Sequence, residues 1–189
     1  MGANQSELKV NIKKNDDPLE RLKAEREKAK ERIAQAKEGE LVLEVIASSV
    51  GVVQVNRTVE ALKQLNESKW RLRLYLYSNE LESVPELVYD LYNLEALGLS
   101  SNKLSSLSPS LAKLSKLKEL ALNNNRFPLI PPCVGQLSLL KELLVYGESS
   151  LVVRSGVEWS GVEWSGVGAD GWFVLRKPFG GASEESYGC

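Results

Sequence analysis

Leu94, Leu117 and Leu140 stand at a constant spacing of 23 residues, and the residues between them repeat one arrangement. From Leu94 the chain reads L-E-A-L-G-L-S-S-N-K-L, and from Leu117 it reads L-K-E-L-A-L-N-N-N-R-F. A fixed period of this length builds stacked units, each touching only its neighbours, rather than a closed globule. Within a unit the pairs Leu97/Leu99 and Leu120/Leu122 put two side chains on one face of a short strand, so the residues between them point the other way. The expected product is a row of parallel strands whose outward positions join into one surface. Such a chain offers a binding surface before it offers a cleft.

The pattern resembles the leucine-rich repeat family through L-x-x-L-x-L-x-x-N-x-L, carried by Leu94, Leu97, Leu99, Asn102 and Leu104 in one unit and Leu117, Leu120, Leu122, Asn125 and Phe127 in the next. The unit before them runs Arg71, Leu74, Leu76, Asn79, Leu81, Val84, Pro85, with Arg71 where the first leucine should stand. A fourth begins Leu140, Leu143, Val145 and has Glu148 in place of the asparagine. The resemblance thus covers residues 71–151. Its length, with Val84-Pro85 and Ile130-Pro131, is similar to the intracellular 23-residue group related to Ras-pathway scaffolds and disease-resistance proteins. What it implies is an α/β fold, a short solenoid with parallel strands on the concave face, and recognition of a protein partner on that face as an adaptor in signalling, without catalysis.

Asn79, Asn102 and Asn125 are expected to form a structural ladder, because a side-chain amide both donates and accepts and can satisfy the backbone of a bend. A carboxylate cannot donate, so the ladder should stop at Glu148. The expected partner-binding positions are Arg73, Tyr75, Tyr77, Ser100, Glu119, Asn123, Glu142 and Tyr146. Tyr and Arg carry interface hot spots, since each combines a large contact area with a polar handle; the middle unit, with Ala96, Gly98 and Ser100, allows close approach. The alternative is that these are solvated strand positions on a scaffold whose partner binds elsewhere.

The N-terminus, residues 1–17, is read as flexible, and Met1-Gly2-Ala3-Asn4-Gln5-Ser6 fits the M-G-x-x-x-[ST] pattern for myristoylation of Gly2. A plain polar N-terminus is the other reading. One myristoyl chain gives reversible membrane binding, so the expectation is a cytoplasmic protein, peripheral at the inner face of a membrane. Residues 18–38 predict a charged helix: Asp17 caps it, Pro18 takes its first position, and Glu20/Lys23 and Glu25/Lys28 pair along it. Its apolar seam is weak, so it reads as a spacer. Residues 39–70, rich in β-branched side chains, are expected to cap the first repeat.

After the repeats, residues 152–189 change to Gly, Ser, Val and Trp, and the tail is expected to be disordered. S-G-V-E-W occurs in tandem at 155–159 and 160–164, which is what a five-base TGGAG repeat encodes. That leaves a second reading of the chain, a truncated or mis-spliced leucine-rich repeat fragment with little function of its own.

Several function classes fall away. Histidine is absent and the only cysteines are Cys133 and Cys189, so neither a His/Cys zinc site nor a His-activated nucleophile can be assembled. A net charge of −1 gives no reason to expect nucleic acid, and no phosphate-loop pattern surrounds Gly51. No cofactor, metal or small-molecule substrate is expected. Two cysteines make no disulfide framework, and Cys133 reads as a small buried thiol.

Overall fold

Alternation of apolar and polar residues decides the architecture, and it begins earlier than the fixed period does. The computed structural model describes residues 6–35, 41–65, 70–128, 130–145, 163–167 and 173–176. Six strands lie side by side in chain order and all parallel: β1 (Ser6–Asn11), β2 (Leu41–Ile46), β3 (Trp70–Tyr75), β4 (Leu94–Gly98), β5 (Glu119–Ala121) and β6 (Glu142–Val145). Val10, Val45, Leu74, Leu97, Leu120 and Leu143 stand in one register row across them, all buried. Each side chain packs on the next, so the core is a continuous line rather than a ball.

The spacing along that row explains why the first units escape a search for period. Val10 to Val45 is 35 residues, Val45 to Leu74 is 29, and each later step is 23. The longer loops hold full α-helices on the convex side, α1 (Pro18–Gln35) between β1 and β2 and α2 (Val52–Leu65) between β2 and β3. The 23-residue units have room only for single 3-10 segments, Glu86–Asp90, Pro109–Lys113 and Pro132–Gln136. A short return favours the tighter helix, which rises further per residue.

Three sequence expectations change here. Residues 6–11 of the expected flexible N-terminus form the edge strand β1, because Leu8, Val10 and Ile12 alternate with polar residues and bury their side chains. The charged helix is no spacer: α1 packs against α2, Leu22 is buried and Leu19 rests on the core. Its polar face carries Lys23–Glu20 and Lys28–Glu25 pairs, both 3.0 Å, and Asp17 Oδ1 accepts from the Leu19 and Glu20 amides as an N-cap. The region 39–70, expected to cap the array, holds β2 and α2 as units inside it, so the stack starts at β1 rather than at residue 71.

The tail differs too. Within 152–189, β7 (Glu163–Val167) and β8 (Phe173–Arg176) extend the sheet in the order β6-β8-β7, antiparallel. β8 pairs Phe173 with Val145 and Arg176 with Glu142, which closes an edge that would otherwise present unpaired backbone groups. Glu148, where the ladder was expected to stop, lies outside the described residues.

The bends after β2, β3, β4 and β5 each turn through a left-handed residue: Ser49, Ser78, Ser101 and Asn124 have φ of 55°, 55°, 57° and 53°. Asparagine follows three of these four. Asn79 Oδ1 accepts from the Val50 and Gly51 amides, Asn102 Oδ1 from Asn79 and Leu81, and Asn125 Oδ1 from Leu104. Their Nδ2 groups donate back to strand-end carbonyls, Asn79 to Ala47, Asn102 to Leu76 and Leu99, Asn125 to Leu99 and Leu122. Every amide therefore stitches its own unit to the one before.

Candidate functional site: the concave strand face

On the face opposite the helices the outward residues form register rows. One row runs Lys9, Glu44, Arg73, Ala96, Glu119, Glu142, and the next runs Asn11, Ile46, Tyr75, Gly98, Ala121, Leu144. Beyond the strand ends Ser78 N bonds Ser100 O and Ser101 N bonds Asn123 O, which sets Tyr77, Ser100 and Asn123 in a third row. Arg73, Tyr75, Tyr77, Ser100, Glu119, Asn123 and Glu142 thus share one surface. Tyr146 and Gly2 lie outside the described residues.

The two tyrosines are the largest groups on it. They sit two apart on one face, with ring centroids 5.4 Å apart and planes tilted by 31°. Tyr77 leans across onto the neighbouring strand, where a Cβ on residue 98 would overlap its outer ring atoms. Gly98 is what lets the ring lie down. Burial, then Tyr75, Glu44 and Glu119, push the Tyr77 hydroxyl up to about 12, so it stays protonated at neutral pH.

Beside the rings lies a depression of about 180 Å³ lined by Tyr75, Tyr77, Ala96, Leu97, Glu119, Leu120, Ala121, Glu142 and Leu144. The small residues of β4 and β5 make it: their missing side chains leave a hollow between the tyrosines of β3 and the carboxylates of β5 and β6.

Along one margin runs a compact ion cluster. Glu95, only 8% exposed, accepts from Arg71 Nε at 2.7 Å and Nη2 at 2.6 Å, and from Lys118 Nζ at 2.7 Å. Burial alone would raise the Glu95 carboxyl, but the hydrogen bonds from Arg71 and Lys118 outweigh it and hold the group below its ordinary value. Arg71 does not replace a leucine after all. Leu72 pairs with Leu94, a register shift follows, and Arg71 turns outward to meet Glu95. Further along, Lys9 Nζ and Glu44 Oε1 meet at 2.7 Å.

The sequence reading missed Lys9, Glu44, Arg71, Glu95 and Lys118 as members of this face. The signal was there in L-V-L-E-V-I (41–46), where one acid in an apolar strand marks the outward side. Elsewhere, Cys133 is buried, which pushes its thiol up and leaves it unreactive. Among the described residues no cluster of three or more His, Cys, Asp or Glu could hold a metal, and no helix is long and apolar enough to cross a membrane.

Comparison with known protein families agrees with the repeat over part of the chain. The family model described as leucine rich repeat matches residues 72–127. Among solved structures, a leucine-rich repeat protein of Leptospira interrogans is similar, with 24% identity and a TM-score of 0.41, over 56% of this chain and 27% of that one. A search of curated proteins finds no match. Over residues 72–127 this chain is therefore similar to the leucine-rich repeat family, typically a non-enzymatic framework for protein interaction.

Proposed function

We propose that the chain is a non-enzymatic adaptor in intracellular signalling that binds a protein partner on its concave face and is held reversibly at the cytoplasmic side of a membrane through a myristoylated Gly2. The observation that carries the recognition part is the pair Tyr75 and Tyr77 beside a hollow floored by small residues. Aromatic side chains next to a space that needs filling are what hot spots use. Affinity capture with wild type and with a Tyr75→Ser/Tyr77→Ser chain, both checked for an unchanged melt, tests it. Partners retained by the variant would count against this face.

The tethering part rests on the M-G-x-x-x-[ST] pattern at residues 1–6. Gly2 stands four residues ahead of the first residue of β1, so the nitrogen that carries the acyl chain would lie at most about 14 Å from the sheet edge. The membrane would then lie close to β1, with α1 keeping nothing at a distance. Fractionation of wild type and Gly2→Ala tests this, and equal partition into membranes would refute it.

A second reading, a truncated or mis-spliced fragment, is favoured by one observation, the tandem pentapeptide at 155–164. Sequencing the transcript across codons 145–160 separates the two, since an intact spliced message encoding the tail removes the fragment reading.

A further inference from the structure

We infer that Tyr77 is a movable flap on the concave face: its ring lies on Gly98 in the free chain and swings off when a protein partner enters the hollow beside it. The inference rests on the recognition reading above and gives that face a moving part. Gly98 makes the lying position possible, since a Cβ there would overlap the outer atoms of the Tyr77 ring. In that position the ring is one wall of the hollow, with Tyr75, Ala96 and Ala121 among its other members.

The backbone beneath the ring is fixed, so motion falls to the side chain. Tyr77 O accepts from the Ser49 amide at 3.0 Å and from Asn79 Nδ2 at 3.1 Å, and the next residue, Ser78, holds the left-handed bend. The tip of the ring has no such anchor. Among the described residues no hydrogen bond holds the Tyr77 hydroxyl.

Each position of the ring gives up something the other keeps. Lying on Gly98, the half-buried ring takes apolar surface out of water, but its hydroxyl loses hydration and finds no bond in exchange. Lifted, the ring stands in its own register row between Ser48 and Ser100. Those side chains are too small to obstruct it, and the hydroxyl returns to water. Opposed terms of this kind leave a narrow gap, across which a ligand selects the minor state. With the ring up, the hollow runs on over Gly98, between its register neighbours Tyr75 and Ala121. A residue without a side chain at that point lets a partner's backbone come close.

The test places 3-fluorotyrosine at position 77 of the full chain and follows it by fluorine NMR, in wild type and in Gly98→Ala, where the added methyl keeps the ring off the floor. The expected wild-type signal exchanges with a minor state, seen as relaxation dispersion or as a shift that moves toward the Gly98→Ala position on warming. A wild-type signal with neither dispersion nor that movement overturns the flap, and this measurement stands even if Gly98→Ala folds poorly. Peptides selected from a random library on the immobilised wild-type chain, and lost with Tyr75→Ser/Tyr77→Ser, then serve as the probe for binding. They should carry the signal to the lifted position. Peptides that bind and leave it at the lying position overturn the flap while leaving the concave face intact. If every selected peptide is indifferent to Tyr75→Ser/Tyr77→Ser, or none is selected, the recognition reading fails and with it the partner's part in lifting the ring.

Discussion

Asn102 Oδ1 accepts a hydrogen bond from the backbone amide of Asn79 at 3.0 Å, so one rung of the asparagine ladder is bonded directly to the next. The link runs between units 23 residues apart in sequence and adjacent in space. It makes the bends interdependent: a fault in one asparagine leaves the preceding bend without an acceptor.

Asn102→Ala strands the Asn79 and Leu81 amides and removes the donor to Leu76 and Leu99 carbonyls in a buried setting. The expected cost is about 2–4 kcal/mol, since buried backbone groups left unpaired lose most of their hydration without return. Asn102→Asp keeps the acceptor but aims a carboxylate at those carbonyls, and should be rescued partly in acid, where the protonated side chain can donate again. Lys103→Ala breaks only the exposed 2.8 Å pair with Glu80, which solvent screens, and should leave stability nearly unchanged. Urea denaturation of the three variants checks the order.

Glu95 predicts an acid-sensitive stability. Its carboxyl is held below the ordinary value of 4.5 by Arg71 and Lys118 against the opposing effect of burial. A depressed pKa contributes stability that is complete above the unfolded value and is lost as the pH falls through the folded one. Wild type should therefore lose stability below about pH 4.5 more steeply than Glu95→Gln does. Thermal melts of both proteins from neutral pH downward would show it, and parallel curves would refute it.

Gly98→Ala forces the Tyr77 ring to lift, because the new methyl takes the space of its outer atoms. The sheet should survive, as the obstacle is the free end of a side chain rather than backbone. Tyr77 then gains water, and its hydroxyl should fall from about 12 toward the ordinary 10.0. Ultraviolet titration of tyrosinate in wild type, Gly98→Ala and Tyr77→Phe checks the assignment. The raised value also means that the stability it contributes is complete below pH 10 and fades as the pH rises through 12.

The N-terminal units are expected to be structural. Leu22→Ala removes a buried side chain where α1 meets the core and should cost about 2–5 kcal/mol. A chain beginning at residue 40 loses β1 and uncovers β2, and should melt lower and less cooperatively, because neighbouring units hold each other up. An unchanged melt in either case would mean that α1 and β1 do not belong to the cooperative stack.

What the sequence made legible was the part with a period. Leu94, Leu97, Leu99 and their counterparts in the next unit placed strands, core and bends, because equal loop lengths repeat the pattern at equal spacing. β1 and β2 obey the same alternation, in Leu8, Val10, Ile12 and in Val45, Ala47, but their loops are 12 and 6 residues longer than the others, so no fixed offset finds them. Charged helices hid the rest: α1 looks solvated because one narrow stripe with Leu22 on it meets the core. On the concave face the tyrosines were visible as outward aromatic residues, whereas the Glu95 cluster depended on a register shift between Leu72 and Arg73 that no spacing announces.

The unequal loops shape the surface they support. Parallel strands sit about 4.8 Å apart, whereas packed α-helices need about 8–10 Å between axes. α1 against α2 therefore makes the back of the stack wider than its front, and the front must close inward there. The slimmer 3-10 segments behind β4 to β6 demand less of this. The array is therefore expected to curve more tightly over β1 to β3 than over β4 to β6, which puts Tyr75, at the end of β3, beside the change.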